Sequence, residues 1–248
     1  MALHDGMDTL FFNNPVQEPY IHYLEKLSSF IPTEYRPDDE TRVHSQALRV
    51  TCPELAKAWD TMQTFCSLIN YAVETARKIP QETLLNTMAA VMYRLLHMRF
   101  ASGSLDEAVR LALSAFCSHI FLRWSNIILP LHHLSSEYRT CLKDQNTLQR
   151  IPTRVQLWLL VVGSMTVLSS EEDAWLKPRL GLMVDSCGAR SWSEAQTILK
   201  SFQWIDFVND EQGLAIYQSG CSIHPHDHDM PQTLSAHCTS TTTPGQAQ

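Results

Sequence analysis

No two of the seven cysteines of this chain, at positions 52, 66, 117, 141, 187, 221 and 238, form a Cys-x-x-Cys pair. A structural zinc cluster needs closely spaced thiolates, so none is expected, and an odd, scattered set does not describe a disulfide framework. Basic excess is missing too: 19 Lys and Arg stand against 26 Asp and Glu, a formal net charge of −7. Without a basic stripe to neutralise phosphates, direct nucleic-acid contact is not expected. The opening residues, Met1 to Phe12, lack the basic and apolar regions of a secretory signal, which leads to the expectation of an intracellular, reducing location. No window alternates apolar and polar residues long enough to argue for a strand, and no fixed-period repeat supports a solenoid. The motifs of zinc proteases, phosphate-binding loops, nucleophile elbows and dinucleotide folds do not occur.

What is present is ordinary globular material. Apolar residues make up 44% and charged residues 18% of 248, enough to bury a core. Charge is unevenly placed, because residues 1–50 carry eight acids against four bases. That segment mixes short apolar pieces with Pro15, Pro19, Pro32 and Pro37, and only a short helix near 21–30 is expected in it. From Gly220 the composition turns to His, Pro, Ser, Thr and Gln, which predicts a disordered tail. The boundaries that follow are an irregular acidic segment over 1–50, a helical domain over 51–218 and a tail over 219–248.

Residues 154–168, Arg-Val-Gln-Leu-Trp-Leu-Leu-Val-Val-Gly-Ser-Met-Thr-Val-Leu, stand out within the helical region. A helix without a polar face must be surrounded by other elements or by lipid. This apolar run is well short of the roughly twenty residues of a membrane span, so it reads as the central core helix. Thr153 is its expected N-cap, and Ser169, Ser170 and the acids Glu171 to Asp173 its expected stop. Around it, three- and four-residue apolar steps predict further helices. The first carries Leu55, Trp59, Met62, Cys66, Ile69 and Val73 after a Thr51–Glu54 capping box. A second, opened by Pro80, carries Leu84, Met88, Val91, Met92, Leu95 and Leu96 and ends near Phe100, with Gly103 at a left-handed position. A Ser104–Glu107 box starts a third that runs to Trp124, and Leu134 to Leu142 mark a short helix before Pro152. Ser170 with Asp173 begins another, which Gly188 closes; Ser191 with Glu194 begins the next; Trp204 to Tyr217 read as part loop, part helix. The expected fold is all-α, with seven to nine helices around the one near 154–168.

Candidate chemistry is thin. Asp38-Asp39-Glu40 and Asn209-Asp210 look like fragments of the two magnesium motifs of terpene-cyclase-type helical enzymes, but Gly213 and Tyr217 stand where hydroxyl and carboxylate ligands belong. The tail carries His224, His226, Asp227, His228 and Asp229 near Cys221, His237 and Cys238, a set able to chelate a metal only weakly on flexible chain. His132-His133 reads as a helix-start pair. Arg94, His97 and Arg99 share the end of one helix, either as a polar pocket or interface or, more simply, as surface cations with buried stems. No catalytic, cofactor-binding, metal or DNA-binding residue is assigned, and no catalysis is expected.

One ordered succession of blocks is more specific. It runs Tyr93-Arg94-Leu95-Leu96-His97-Met98-Arg99-Phe100, then Leu105-Asp106-Glu107-Ala108-Val109-Arg110-Leu111-Ala112-Leu113, then Phe116, His119 and Phe121 to Trp124. Tyr138-Arg139, Cys141-Leu142, Leu157 to Gly163 and Trp175-Leu176 follow, and Leu199 to Asp206 with Asp210 and Gly213 close it. Over residues 52–218 this resembles the C-terminal regulatory, "fungal-specific transcription factor", domain of fungal binuclear zinc cluster transcription factors. The resemblance implies an all-α effector domain in a nuclear, often dimeric regulator. Such regulators read DNA through a separate six-cysteine zinc module, of which this chain has no trace, so neither zinc nor DNA contact carries over. The expected role is transcriptional regulation by protein–protein contact, with a second copy or a full-length zinc cluster regulator as partner. The alternative is a ligand-sensing or scaffold helical protein outside transcription.

Overall fold

A computed structural model describes residues 52–122, 131–144, 148–169 and 171–221. Among them are eight α-helices and no strand: α1 (Pro53–Glu74), α2 (Gln81–His97), α3 (Leu105–Cys117), α4 (His132–Lys143), α5 (Thr153–Thr166), α6 (Leu176–Ser186), α7 (Trp192–Lys200) and α8 (Asp206–Cys221). The all-α, multi-helix expectation holds. The 1–50 segment, the helix expected near 21–30, Thr51, Trp124, Ser170 and the tail from 222 lie outside the described residues. No helix among those described is long and apolar enough to cross a membrane.

Helix α5 is the centre. Ten of its fourteen residues are buried, on every side, and it packs against α3, α6, α7 and α8. Gln156, the polar residue early in the apolar run, is bonded inside: its Nε2 donates to the carbonyls of Leu148 and Ile151, both at 2.8 Å, tying down the turn that enters the helix. From α4, the Tyr138 hydroxyl donates to Leu159 O at 2.8 Å. The Tyr138 ring fills the place a side chain would take at Gly163, where a Cβ would lie 2.8 Å from Cε1. Both ends of α5 differ from the sequence expectation. Pro152 occupies the N-cap and Thr153 is already helical, so the threonine is not the cap. At the far end the amides of Val167 and Leu168 both return to Gly163 O, at 3.0 and 2.8 Å, and the helix stops before the serines and acids are reached.

The other termini show which local signals tertiary structure kept. Ser191 and Glu194 form the full reciprocal capping box of α7. Ser104 caps α3 by accepting from Glu107 N, but the Glu107 carboxylate turns to Arg110 instead of closing the box. Gly188 ends α6 at φ +68°, with its amide on Asp185 O and that of Ala189 on Val184 O, a Schellman closure that glycine adopts without strain. Asp173 does not cap α6, which starts only at Leu176. Cys52, without a side-chain bond, is the N-cap of α1. α2 ends at His97, and Gly103 (φ +77°) serves the turn into α3 rather than its own helix end. α3 does not continue as an α-helix beyond Cys117. It widens into a π turn over Ser118–Leu122, which lets Ile120 and Phe121 both enter the core, Phe121 5.4 Å from Phe65 between ring centroids.

The connection between α7 and α8 is buried, which a loop can tolerate only if its backbone polar groups find partners. Phe202, Gln203, Trp204 and Ile205 are all inside. Partners come from three helices. Gln63 Nε2 of α1 donates to Ser201 O (3.4 Å), and Trp158 Nε1 of α5 to Gln203 O (3.2 Å). Asn70 of α1 donates to Trp204 O (3.0 Å) and accepts from Asp206 N (3.0 Å), while Asn209 Oδ1 accepts from Ile205 N (2.8 Å). α8 then runs unbroken to Cys221, through Ser219 and Gly220, past the boundary set at 218.

α8 meets the core through small and polar residues; its buried positions are Asn209, Gly213 and Gly220. At Gly213 an added Cβ would lie 2.7 Å from Trp204 Cη2 and 2.9 Å from Trp192 Cη2. Gly213→Ala therefore sets two effects against each other. Helix propensity favours Ala by about 1 kcal/mol, and overpacking against two rigid indoles costs about 1–3 kcal/mol. The collision is expected to win, for a net loss of about 1–2 kcal/mol in urea unfolding. A stabilised variant would mean that α8 does not approach the two tryptophans so closely.

Candidate functional site

The cations at the end of α2 each have their own surroundings. The Arg94 side chain is 15% exposed, its Nε is 3.9 Å from Glu54 at the start of α1, and its Nη1 is buried without a hydrogen-bond partner. The His97 ring stacks on Tyr93 at 4.1 Å between centroids, with Nδ1 2.8 Å from Tyr93 O, and Arg99 lies exposed beyond the helix. Positive charge in the last turn complements the helix dipole, a structural use of these residues.

The strongest polar constellation lies elsewhere and was not singled out from the sequence. Arg139 of α4 forks onto Asp173, Nε to Oδ1 at 2.7 Å and Nη2 to Oδ2 at 3.0 Å. Trp175 Nε1 donates to the same Oδ1 at 2.9 Å, and the Lys143 ammonium sits 5.5 Å from the Trp175 ring centroid. The Asp173 side chain is 1% exposed. Burial by itself would raise its pKa, but the hydrogen bonds from Arg139 and Trp175 and the charges of Arg139 and Lys143 outweigh it and hold the carboxyl below its ordinary value. The hydrogen bond to Asp173 raises the Arg139 pKa in turn. All ligands of this carboxylate are supplied by the protein, so the cluster pins α4 to the α5–α6 connection and leaves no position for a substrate. In the sequence, three acids after an apolar run looked like a helix stop; nothing local announced that Asp173 faces inward.

The fragment resembling a metal motif is consumed in the same manner. Asn209 caps Ile205 N and places Nδ2 3.9 Å from Met165 Sδ, and Asp210 accepts from Trp204 Nε1 at 2.8 Å. Tyr217 donates its hydroxyl to Ala189 O at 3.1 Å, and burial first, then Cys221, push its pKa up to about 12. His132 and His133 are exposed in the first turn of α4. Asp38 to Glu40 and the histidines at 224, 226, 228 and 237 lie outside the described residues, among which no cluster of three metal-ligating side chains occurs.

Burial drives the thiols of Cys66 and Cys117 far above the ordinary range, and that of Cys141 to about 11 by burial and the nearby Glu107 charge. At neutral pH these are small apolar side chains, not nucleophiles. A shallow groove of about 240 Å³ lies between α5, α6 and α8, where Leu176, Leu180 and Ile216 meet Lys177 and Gln212. Ligand sites for drug-sized molecules occupy roughly 300–1,000 Å³, so this groove suits a fragment at most.

No described protein family matches this chain, and neither does any curated protein or solved structure.

What the described surface does offer is exposed apolar area: Val73, Leu85, Leu96, Leu182 and Phe207 each have between 47% and 58% of their surface in water. Two of these correct the sequence reading. The apolar spacing places Val73 in the core stripe of α1 and Leu96 in that of α2, and both face water, whereas Met92 packs against the core half-buried. The buried stripe of α2 is narrower, Thr87, Ala90, Val91 and Leu95. A second apolar stripe on the same helix, Leu85, Ala89, Met92 and Leu96, has the same helical spacing and cannot be told from the first by periodicity.

Proposed function

We propose that this chain is a transcription-regulatory helical domain that acts in the nucleus by protein–protein contact and has no catalysis of its own. The observation that carries the reading is the ordered succession of blocks from Tyr93-Arg94 through Trp204-Ile205-Asp206 to Gly213, similar to the regulatory domain of fungal zinc cluster regulators. The polar geometry is compatible with it. Buried charges and amides such as Asp173, Asn209 and Gln156 are spent on internal bonds, and single apolar side chains such as Leu85, Leu96 and Phe207 face outward. The partner is a second copy of the chain or a full-length zinc cluster regulator.

The test is a tethering assay. The chain is fused to an unrelated DNA-binding domain, and transcription of a reporter bearing that domain's site is measured in a fungal host. Output clearly above or below that of the DNA-binding domain alone is expected. Unchanged output from a fusion that is expressed, folded and nuclear sinks the reading.

A further inference from the structure

Where α8 ends alters what the histidine-rich stretch after it can do. The sequence boundary at 218 places Cys221 in the tail, where chelation is weak because no ligand is held in position. In the structure Cys221 is instead the last residue of a helix of 16 residues. Close packing fixes that end. Gly220 is buried, and a Cβ there would lie 3.0 Å from Leu180 Cδ2 and 3.4 Å from the Gly181 amide nitrogen of α6. One turn earlier the Tyr217 hydroxyl donates to Ala189 O, between α6 and α7, and the Cys221 thiol lies within hydrogen-bonding reach of that hydroxyl. Cys221 packs half-buried against the core, a thiol with a set place.

Three imidazoles follow it at once. The order is Cys221-x-x-His224-x-His226-x-His228, four metal-ligating side chains within eight residues. The histidines lie outside the described residues, so what counts is their separation along the chain from the fixed thiol. Two intervening residues separate paired ligands in many tetrahedral zinc sites, and side chains two apart on extended chain point the same way. A thiolate with imidazoles is a borderline-soft set that suits zinc; calcium and magnesium take oxygen.

Charge points the same way. The C-terminal end of a helix carries partial negative charge, and α8 has no basic residue in its last turn to offset it. The charges of Asp185 and Glu194 both reach the Tyr217 hydroxyl beside the thiol. Asp227 and Asp229 alternate with the histidines. Each of these groups attracts a divalent cation.

We infer that Cys221, His224, His226 and His228 form a mononuclear zinc site that ties the chain beyond α8 to the end of that helix. On binding, the thiol gives up its proton to solvent, the imidazoles bind as neutral rings and nothing is oxidised or reduced. Such a site is unlike the six-cysteine module of zinc cluster regulators, and it stands whether or not the chain regulates transcription.

Titration of the reduced, metal-free full chain with cobalt(II) and then zinc is the test. One cobalt per chain is expected, with a thiolate-to-cobalt charge-transfer band and the visible bands of a tetrahedral ion, and zinc displaces it. Cys221→Ser removes the charge-transfer band and weakens zinc binding roughly 100-fold; His224→Asn, His226→Asn or His228→Asn weakens it about tenfold or more. Cys187→Ser and Cys238→Ser leave both unchanged. Circular dichroism checks that Cys221→Ser keeps its helix content. Should that variant fail to fold, the histidine, Cys187 and Cys238 variants, which alter no residue of α8, decide. A chain that takes up no zinc overturns the proposal. So does cobalt bound without a thiolate band, the result of histidines acting without the helix, or a band that survives Cys221→Ser or vanishes in Cys187→Ser or Cys238→Ser.

Discussion

Trp158→Ala is expected to lower the stability of the domain by about 4 kcal/mol, among the largest effects available to a single substitution. Trp158 is fully buried in α5, with ring centroids 5.1 Å from Trp59 of α1 and 6.0 Å from Phe202 of the buried connection. Its indole N–H is the donor to Gln203 O at 3.2 Å. Removal opens a cavity among rigid aromatic neighbours and leaves that carbonyl without its donor, a loss of about 1–3 kcal/mol of the total. Trp158→Phe keeps most of the packing and loses the bond, so about 2 kcal/mol is expected for it. Against a total stability on the order of 5–15 kcal/mol, the alanine variant would melt roughly 8–16 °C lower. Urea unfolding followed by far-ultraviolet circular dichroism reads both, because tryptophan fluorescence changes with the substitution itself. A loss under about 1 kcal/mol for Trp158→Ala would remove α5 from the centre of the fold.

The second large effect belongs to Asp173. With its side chain 1% exposed and three donors upon it, Asp173→Ala leaves Arg139 and Trp175 Nε1 without their acceptor. Arg139 is 27% exposed and recovers part of its hydration, so about 3 kcal/mol is expected, the low end for a broken buried pair. Arg139→Met made in the Asp173→Ala background should cost much less than in the parent, because the charge it removes is already unpaired. The pH dependence has a fixed sign. A carboxyl held below its unfolded value of 3.8 contributes stability that is fully present above that pH and is lost as pH falls through the lower folded value. The parent should therefore lose stability below about pH 4 more steeply than Asp173→Ala, in thermal melts across that range. Parallel acid profiles for the two proteins would show that the pair does not form.

Much of the architecture was legible because it rests on composition and local spacing. A run of apolar residues on every side of a helix has nowhere to go but the interior, and 154–168 forecast α5 for that reason alone. Ser191 with Glu194, and Gly188, work within four residues of chain and appear as read. Where a signal depended on the next residue's partner it failed. Glu107 had Arg110 three residues on and chose the ion pair over the capping box. Thr153 followed Pro152, and with the proline at the N-cap the threonine entered the helix. In α2 two apolar stripes share one period, and the spacing alone ran Leu96 together with Val91 and Leu95, because periodicity does not say which stripe the core takes.

By itself, then, the sequence determined the class: eight helices or so, one of them buried, with no strand pattern. Those properties follow from periodicity and composition, which act over a turn or two of helix. Tertiary structure alone decided the buried course of Phe202 to Ile205, where the backbone from Ser201 onward is bonded by Gln63, Asn70 and Trp158 from helices far away in the chain. It decided that Asp173 turns inward to Arg139, and that Gly213 gives its space to Trp192 and Trp204. It also decided which face of α2 remains in water. Each of these depends on a partner brought near only by packing, and no local pattern encodes the identity of a distant neighbour.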